Sequence, residues 1–139
     1  VGSEMCIETA FELFGAPWID GYELAERINK LGLSGIKFRE AWFTPTFSKY
    51  NGELCGGAQL HVLDRNQYKP FESSLHIIKT IMDMYPNRFK FHEEYMDKIM
   101  GTSKVRKALE KGMDIEGIVG SLSKELDSFS QRRKPYLLY

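Results

Sequence analysis

The sequence predicts an α+β fold, a small sheet of few strands packed with several helices. Three observations carry this. Residues 36–44 and 58–63 alternate with the period of a strand, residues 71–85 and 115–129 repeat apolar side chains every three or four positions, and glycine or proline stands at most junctions. Most of the helices follow the strands instead of alternating with them, which separates this pattern from a parallel βαβ fold.

The first clear element is a helix over 22–31. Asp20 and Glu23 have the spacing of a capping box, Gly32 supplies the stop, and Leu24, Ile28 and Leu31 line the buried face. In the strand over 36–44, Ile36, Phe38, Glu40, Trp42 and Thr44 share one side and Lys37, Arg39, Ala41 and Phe43 the other. This pattern places Trp42 in the core. Residues 45–57 read as a loop rich in Pro, Gly, Ser and Asn. A second strand follows over 58–63, with Ala58, Leu60 and Val62 facing one way and Gln59 and His61 the other. Pro70 suits a first helical position, and Phe71, Leu75, Ile78, Met82 and Tyr85 form the stripe of the helix after it. Residues 89–91 read as a short strand. Short helices over 93–100 and 103–111 are closed by Gly101 and Gly112. Asp114 caps a last helix whose stripe is Ile115, Ile118, Val119, Leu122, Leu126 and Phe129.

Composition narrows the function. The 139 residues are 42% hydrophobic and 13% aromatic, enough for one self-supporting core and too apolar for disorder. Nineteen Lys and Arg balance nineteen Asp and Glu, which removes the electrostatic case for nucleic acid. No apolar run approaches the roughly 18 residues of a membrane helix. Cys6 and Cys55 are too few for a disulfide framework or a thiolate zinc site. His61, His76 and His92 lack metal-ligand spacing, so no metal or cofactor is implied. Lys104, Arg106, Lys107 and Lys111 form a basic patch diluted by Glu110 and Asp114, which reads as a solvated helix face. The start at Val1, with neither initiator Met nor signal peptide, reads as a segment of something longer or a processed chain. The apolar end at Tyr136-Leu137-Leu138-Tyr139 is expected to dock on the body.

Chemistry concentrates between and along the two strands. Within residues 43–61 stand Lys49, Tyr50, Asn51, Glu53, Cys55, Gly56, Gly57, Gln59 and His61. Gly56 and Gly57 admit a bulge or close approach of a ligand to the backbone. Gln59 and His61 project from one sheet face. Glu53 is a candidate acid, base or hydroxyl acceptor, and His61 a candidate base or sugar partner. Lys49 and Tyr50 suit a carboxylate and a sugar face. Cys55 has no spaced base and reads as a small packed residue. Trp18, after Gly15-Ala16-Pro17, is either a packed ring or a stacking platform. Lys49, Tyr50, Glu53, Gln59 and His61 are expected to converge beside Gly56 and Gly57. A solvated polar loop is the alternative.

Three blocks together resemble one family. They are residues 11–19 (Phe-Glu-Leu-Phe-Gly-Ala-Pro-Trp-Ile), residues 43–50 running through Cys55-Gly56-Gly57 with Gln59 and His61, and the terminal residues 133–139 (Arg-Lys-Pro-Tyr-Leu-Leu-Tyr). They are similar to the C-terminal part of NamZ-type exo-β-N-acetylmuramidases, a bacterial family long described only as a domain of unknown function. Where the family has a Gly-Arg-Gly-Thr segment, this chain reads Glu4-Met5-Cys6-Ile7-Glu8-Thr9, so no role is carried onto residues 1–9.

The resemblance implies that residues 1–139 are a single C-terminal domain, with 1–10 as an irregular lead-in, in a two-domain cell-wall hydrolase. That enzyme removes N-acetylmuramic acid from the non-reducing end of peptidoglycan fragments. It also implies a Rossmann-like N-terminal domain holding the main catalytic carboxylate. Lys49, Tyr50, Glu53, Gly56, Gly57, Gln59 and His61 are then candidates for one substrate-binding wall, with Glu53 and His61 as candidate assisting groups. The fragment alone is expected to be inactive, and a cell-envelope, periplasmic or secreted location follows from the resemblance only. The alternative is a non-catalytic glycan-binding or interdomain docking module.

Overall fold

The computed structural model describes residues 12–46 and 49–136, and the backbone of 6–8. Four antiparallel strands form one sheet in the order β1-β2-β4-β3: β1 (Cys6–Glu8), β2 (Leu13–Ala16), β3 (Ile36–Phe43) and β4 (Cys55–Val62). Helix α1 (Gly21–Lys30) separates β2 from β3. The chain then continues through α2 (Pro70–Met84), α3 (Glu93–Met100), α4 (Lys104–Glu110) and α5 (Ile115–Arg133), with a short 3₁₀ turn at Lys134–Tyr136. The fold is the α+β arrangement that the periodicity predicts. Within the expected lead-in, Cys6–Glu8 pair with β2. The segment where the chain departs from the Gly-Arg-Gly-Thr pattern otherwise lies outside the described residues.

Helix α1 packs on one sheet face. Phe14, Ala58, Ile36 and Phe38 point toward it and join Leu24, Ala25 and Ile28 in the core, where Phe14 meets Phe38 edge-on at 6.4 Å. Asp20 caps the helix: the Glu23 amide donates to Asp20 Oδ1 at 3.0 Å. The reciprocal half of the box is absent. Glu23 pairs instead with Arg27, and the Asp20 amide donates to the Tyr85 hydroxyl at 2.8 Å, tying α1 to the end of α2. At the far end of α1, Asn29 donates to the Phe38 carbonyl at 2.7 Å and accepts from its amide at 2.9 Å. One side chain thereby satisfies both backbone groups of Phe38 on the outer strand of the sheet.

Several expectations change. The second strand begins at Cys55, not Ala58, because Gly56 and Gly57 pair with both β2 and β3. Residues 89–91 are not a strand. The Phe89 amide closes a turn onto the Tyr85 carbonyl, and Phe89 and Phe91 stack edge-on at 5.0 Å. Helix α5 runs on to Arg133, but its stripe leaves the body midway. Ile115 and Ile118 are buried, while Leu126 and Phe129 are more than half exposed. Asp114 occupies the cap position without a side-chain cap hydrogen bond. Tyr136 is exposed, and residues 137–139 lie outside the described residues, so the expected docking of the chain end is not seen at Tyr136.

The basic patch is also rearranged. Arg106 is buried, and its guanidinium forms paired bonds of 2.9 Å to both Asp97 oxygens, with Glu110 and Glu93 beside it. The fork geometry of the guanidinium suits this role, and the cluster clamps α3 to α4. The hydrogen bond from Arg106 holds the Asp97 carboxyl below the usual carboxylate range, and the Asp97 carboxylate holds the Arg106 guanidinium above its ordinary value. The sequence marks Arg106 only as one cation among four. Its acidic partner stands nine positions upstream, outside any helical spacing rule.

Candidate functional site

The β3–β4 hairpin positions the candidate residues. Its register pairs Phe43 with Cys55, Trp42 with Gly56 and Ala41 with Gly57, so the intervening loop spans residues 44–54. The loop is anchored at its root. Pro45 is fully buried, and its carbonyl accepts from the Gly52 amide at 2.9 Å, while the Tyr50 carbonyl accepts from Glu53 at 3.0 Å. Gly52 has φ of 80°, a left-handed value that glycine adopts without steric cost.

The loop folds toward the α1 side of the sheet. Tyr50 packs against the core, and its hydroxyl accepts from Trp18 Nε1 at 3.4 Å. Trp18 stands edge-on to Tyr85 at 5.3 Å, so of its two readings the packed ring is the observed one. Lys49 is exposed, with its ammonium 5.5 Å from the Tyr50 ring centroid. Glu53 and Asn51 are also exposed, and Cys55 is fully buried. Lys49, Tyr50 and Glu53 thus share one loop at the open end of the hairpin.

Gln59 and His61 are placed elsewhere. Alternation from Ala58 and Leu60 sends both to the sheet face away from α1, together with Lys37 and Arg39. Gln59 Oε1 accepts from Arg39 at 2.7 Å. His61 opens onto a shallow groove with Glu12, Arg65 and Tyr68, where burial pushes the Tyr68 phenol up. Six residue steps of β4 lie between Cys55 and His61, about 20 Å at strand rise. The structure therefore groups Lys49, Tyr50 and Glu53, groups Gln59 with His61, and does not bring the two sets together. The expected single convergence divides because the loop bends to one side of the sheet while the strand residues point to the other.

Gly56 and Gly57 have an internal cause. A Cβ on Gly57 would stand 1.9 Å from the Phe14 carbonyl oxygen, and one on Gly56 would stand 2.1 Å from that of Ile19. Gly15 meets Gly56 in the same way. The close backbone approach that these glycines permit is made by the chain itself, where β2 and the entry to α1 cross β4.

Trp42 is the residue that the strand pattern misplaces. It lies on the face that alternation gives it, with Ile36 and Phe38, but the residue is 56% exposed. Helix α1 starts with Gly21 lying against the Gly57 and Ala41 backbone and ends beside Phe38, so nothing in α1 extends over Trp42. Only the position of α1 along the strand carries that information, and alternation does not encode it. Among the described residues no cluster of His, Cys, Asp or Glu could hold a metal ion, and no helix is long and apolar enough to cross a membrane.

Comparison with known proteins agrees with this architecture. A Bacteroides fragilis DUF1343 family protein of known crystal structure superposes with a TM-score of 0.84 over 99% of this chain, at 25% identity, and the match covers 38% of that protein. The peptidoglycan beta-N-acetylmuramidase NamZ of Bacillus subtilis is 47% identical over 130 residues, 93% of this chain and 31% of that protein. The chain thus spans about a third of the length of these relatives. The family profile described as exo-beta-N-acetylmuramidase NamZ, C-terminal, matches residues 7–139. On that match, across nearly the whole chain, the protein belongs to the NamZ C-terminal domain family.

Proposed function

We propose that this chain is the C-terminal, cleft-forming part of a peptidoglycan exo-β-N-acetylmuramidase that works in the cell envelope or outside the cell. The observation that carries the reading is the family match, together with an exposed polar loop anchored on a rigid hairpin. In this reading Lys49, Tyr50 and Glu53 face the sugar. The Lys49 ammonium suits the lactyl carboxylate that distinguishes N-acetylmuramic acid from N-acetylglucosamine. Tyr50 supplies an amphipathic ring at the loop base, and Glu53 accepts a sugar hydroxyl or assists proton transfer.

Glycoside hydrolysis generally uses two carboxyl groups or a substrate-assisted alternative. Glu53 is the one carboxylate within loop 44–54, and the family resemblance implies that the main catalytic carboxylate belongs to an N-terminal Rossmann-like part of the longer protein. Among the described residues α1 is the helix that packs broadly on the sheet, while Lys37 and Arg39 on the other face are exposed, and a layered fold buries its second face against something. The reading gives the open face, with Arg39, Gln59 and His61, to contact with that N-terminal part.

The test uses the longer protein carrying this chain. Lys49→Met should lower kcat/KM on a muramyl substrate by about tenfold, and much less on the matching N-acetylglucosamine analogue. Glu53→Gln should lower kcat/KM on both by about tenfold to a hundredfold. Equal loss on both substrates for Lys49→Met, or no loss for Glu53→Gln, would reject the loop as the sugar-facing surface.

A further inference from the structure

We infer that Trp42 is a sugar-stacking platform that holds the C–H face of a pyranose ring beside loop 44–54. This rests on the glycan-cleft reading above and adds to it a residue that neither the sequence pattern nor the comparisons assign. A tryptophan that serves only the fold is usually buried along its ring and bonded through its N–H. Trp18 meets that description, with Tyr85 at its ring and Tyr50 at its nitrogen. Trp42 does not. It is 56% exposed, and among the described residues its ring meets no other ring and its N–H donates to no acceptor.

The ring is nevertheless held in place. Trp42 lies directly across from Gly56, and its Cζ3 approaches to 3.0 Å of the position a Cβ would take there. The missing side chain makes room for the indole on the paired strands, so its orientation is set by a rigid hairpin, not by a loop. It projects on the α1 side, the side toward which Tyr50 folds, two residues before the loop begins.

The chemistry of the rim decides the class of occupant. Glu40, on the same face two positions earlier, is exposed, as are Thr44 and Tyr22. Lys49 and Glu53, both exposed, stand in the loop that begins two residues on, so a half-exposed apolar ring lies on a strand flanked by exposed hydrogen-bonding residues. That is the pattern for a ligand with an apolar face and a polar perimeter. β-Linked N-acetylhexosamines of the gluco configuration have this form: their axial C–H groups make both ring faces apolar, while hydroxyl, acetamido and lactyl groups lie at the edge.

The chain contains two tryptophans, so its indole N–H resonances reduce to two signals, and Trp42→Phe assigns them. The probe is the disaccharide of N-acetylmuramic acid β-linked to N-acetylglucosamine, titrated into the 139-residue chain. The Trp42 signal should shift saturably and the Trp18 signal should not. Trp42→Ala should weaken binding by about tenfold, the scale expected from the area of one sugar face, and Trp42→Phe should weaken it less. In the longer protein, Trp42→Ala should raise KM by a similar factor and leave kcat within about twofold. Shifts at residues 49–53 with a stationary Trp42 signal would overturn the platform and leave the glycan reading standing. No shift anywhere, with Lys49→Met and Glu53→Gln silent in turnover, would overturn both. A Trp42→Ala protein that loses stability but keeps its KM would make the residue an interdomain contact and overturn the platform alone.

Discussion

The two ends of β3 share one strand and one alternation, yet have opposite environments. At one end Ile36 and Phe38 are 6% exposed beneath α1. At the other Trp42, on the same face, is 56% exposed, and the loop beyond it carries Lys49, Asn51 and Glu53 into solvent. Strand periodicity chooses the face, whereas burial is chosen by what lies above it. Helix α1 starts against the Ala41 and Gly57 backbone and ends beside Phe38, and the Glu40 and Trp42 side chains on its face stay exposed. On β3 the Ile36–Phe38 end is therefore committed to the core and the Trp42 end is open, while on β4 the order is reversed, with Cys55 and Ala58 fully buried and Val62 39% exposed.

The largest expected contrast is between Phe38 and Trp42. Phe38→Ala removes a ring packed against Phe14 and should cost about 3–5 kcal/mol of stability in urea unfolding. Trp42→Ala should cost under about 1 kcal/mol, because half of its surface is already in water. Equal losses would break the comparison.

Gly57→Ala comes next. Its Cβ would meet the Phe14 carbonyl, and backbone cannot yield as a flexible side chain can, so a loss of about 1–3 kcal/mol or more is expected. Gly52→Ala places its Cβ in open space, so only its left-handed φ opposes the change, and the cost should be about 1 kcal/mol. Finding Gly57 the more tolerant of the two would contradict the backbone crossing.

Asp20→Ala should cost about 1 kcal/mol through the lost cap on α1, and Asp20→Asn much less. A smaller effect is confined to acid. Because Arg106 lowers the Asp97 pKa in the folded chain, the unfolded chain binds the proton more readily, and stability falls as pH drops below the ordinary carboxylate value of about 4. This contribution is present above that pH and lost as Asp97 protonates in the folded state. Arg106→Leu should shallow the acid limb of the stability profile without altering the exposure of either hairpin end.

The sequence makes the covered end of β3 legible and the open end much less so. Leu24, Ile28, Ile36 and Phe38 are readable as core because helix and strand periods coincide with burial there. The chemical richness of residues 43–61 is equally plain. The division of that set is not, because Gln59 and His61 follow strand alternation while Tyr50 follows a loop whose path is set by Pro45, Gly52 and a contact with Trp18, 32 positions away. The two glycines of β4 show the same limit. Their need for close approach is legible, but that the neighbour is Phe14 and Ile19 backbone depends on strand order. Arg106 likewise acquires its meaning only when α3 meets α4.

Hydrogen exchange along the hairpin tests the central claim most directly, comparing the longer protein with and without the muramyl disaccharide. Protection gained over residues 42–55, with residues 36–38 and 60–62 unchanged, is the predicted result. Protection gained around His61 and Tyr68 with none over the loop, or no change in the hairpin during active turnover, would contradict it.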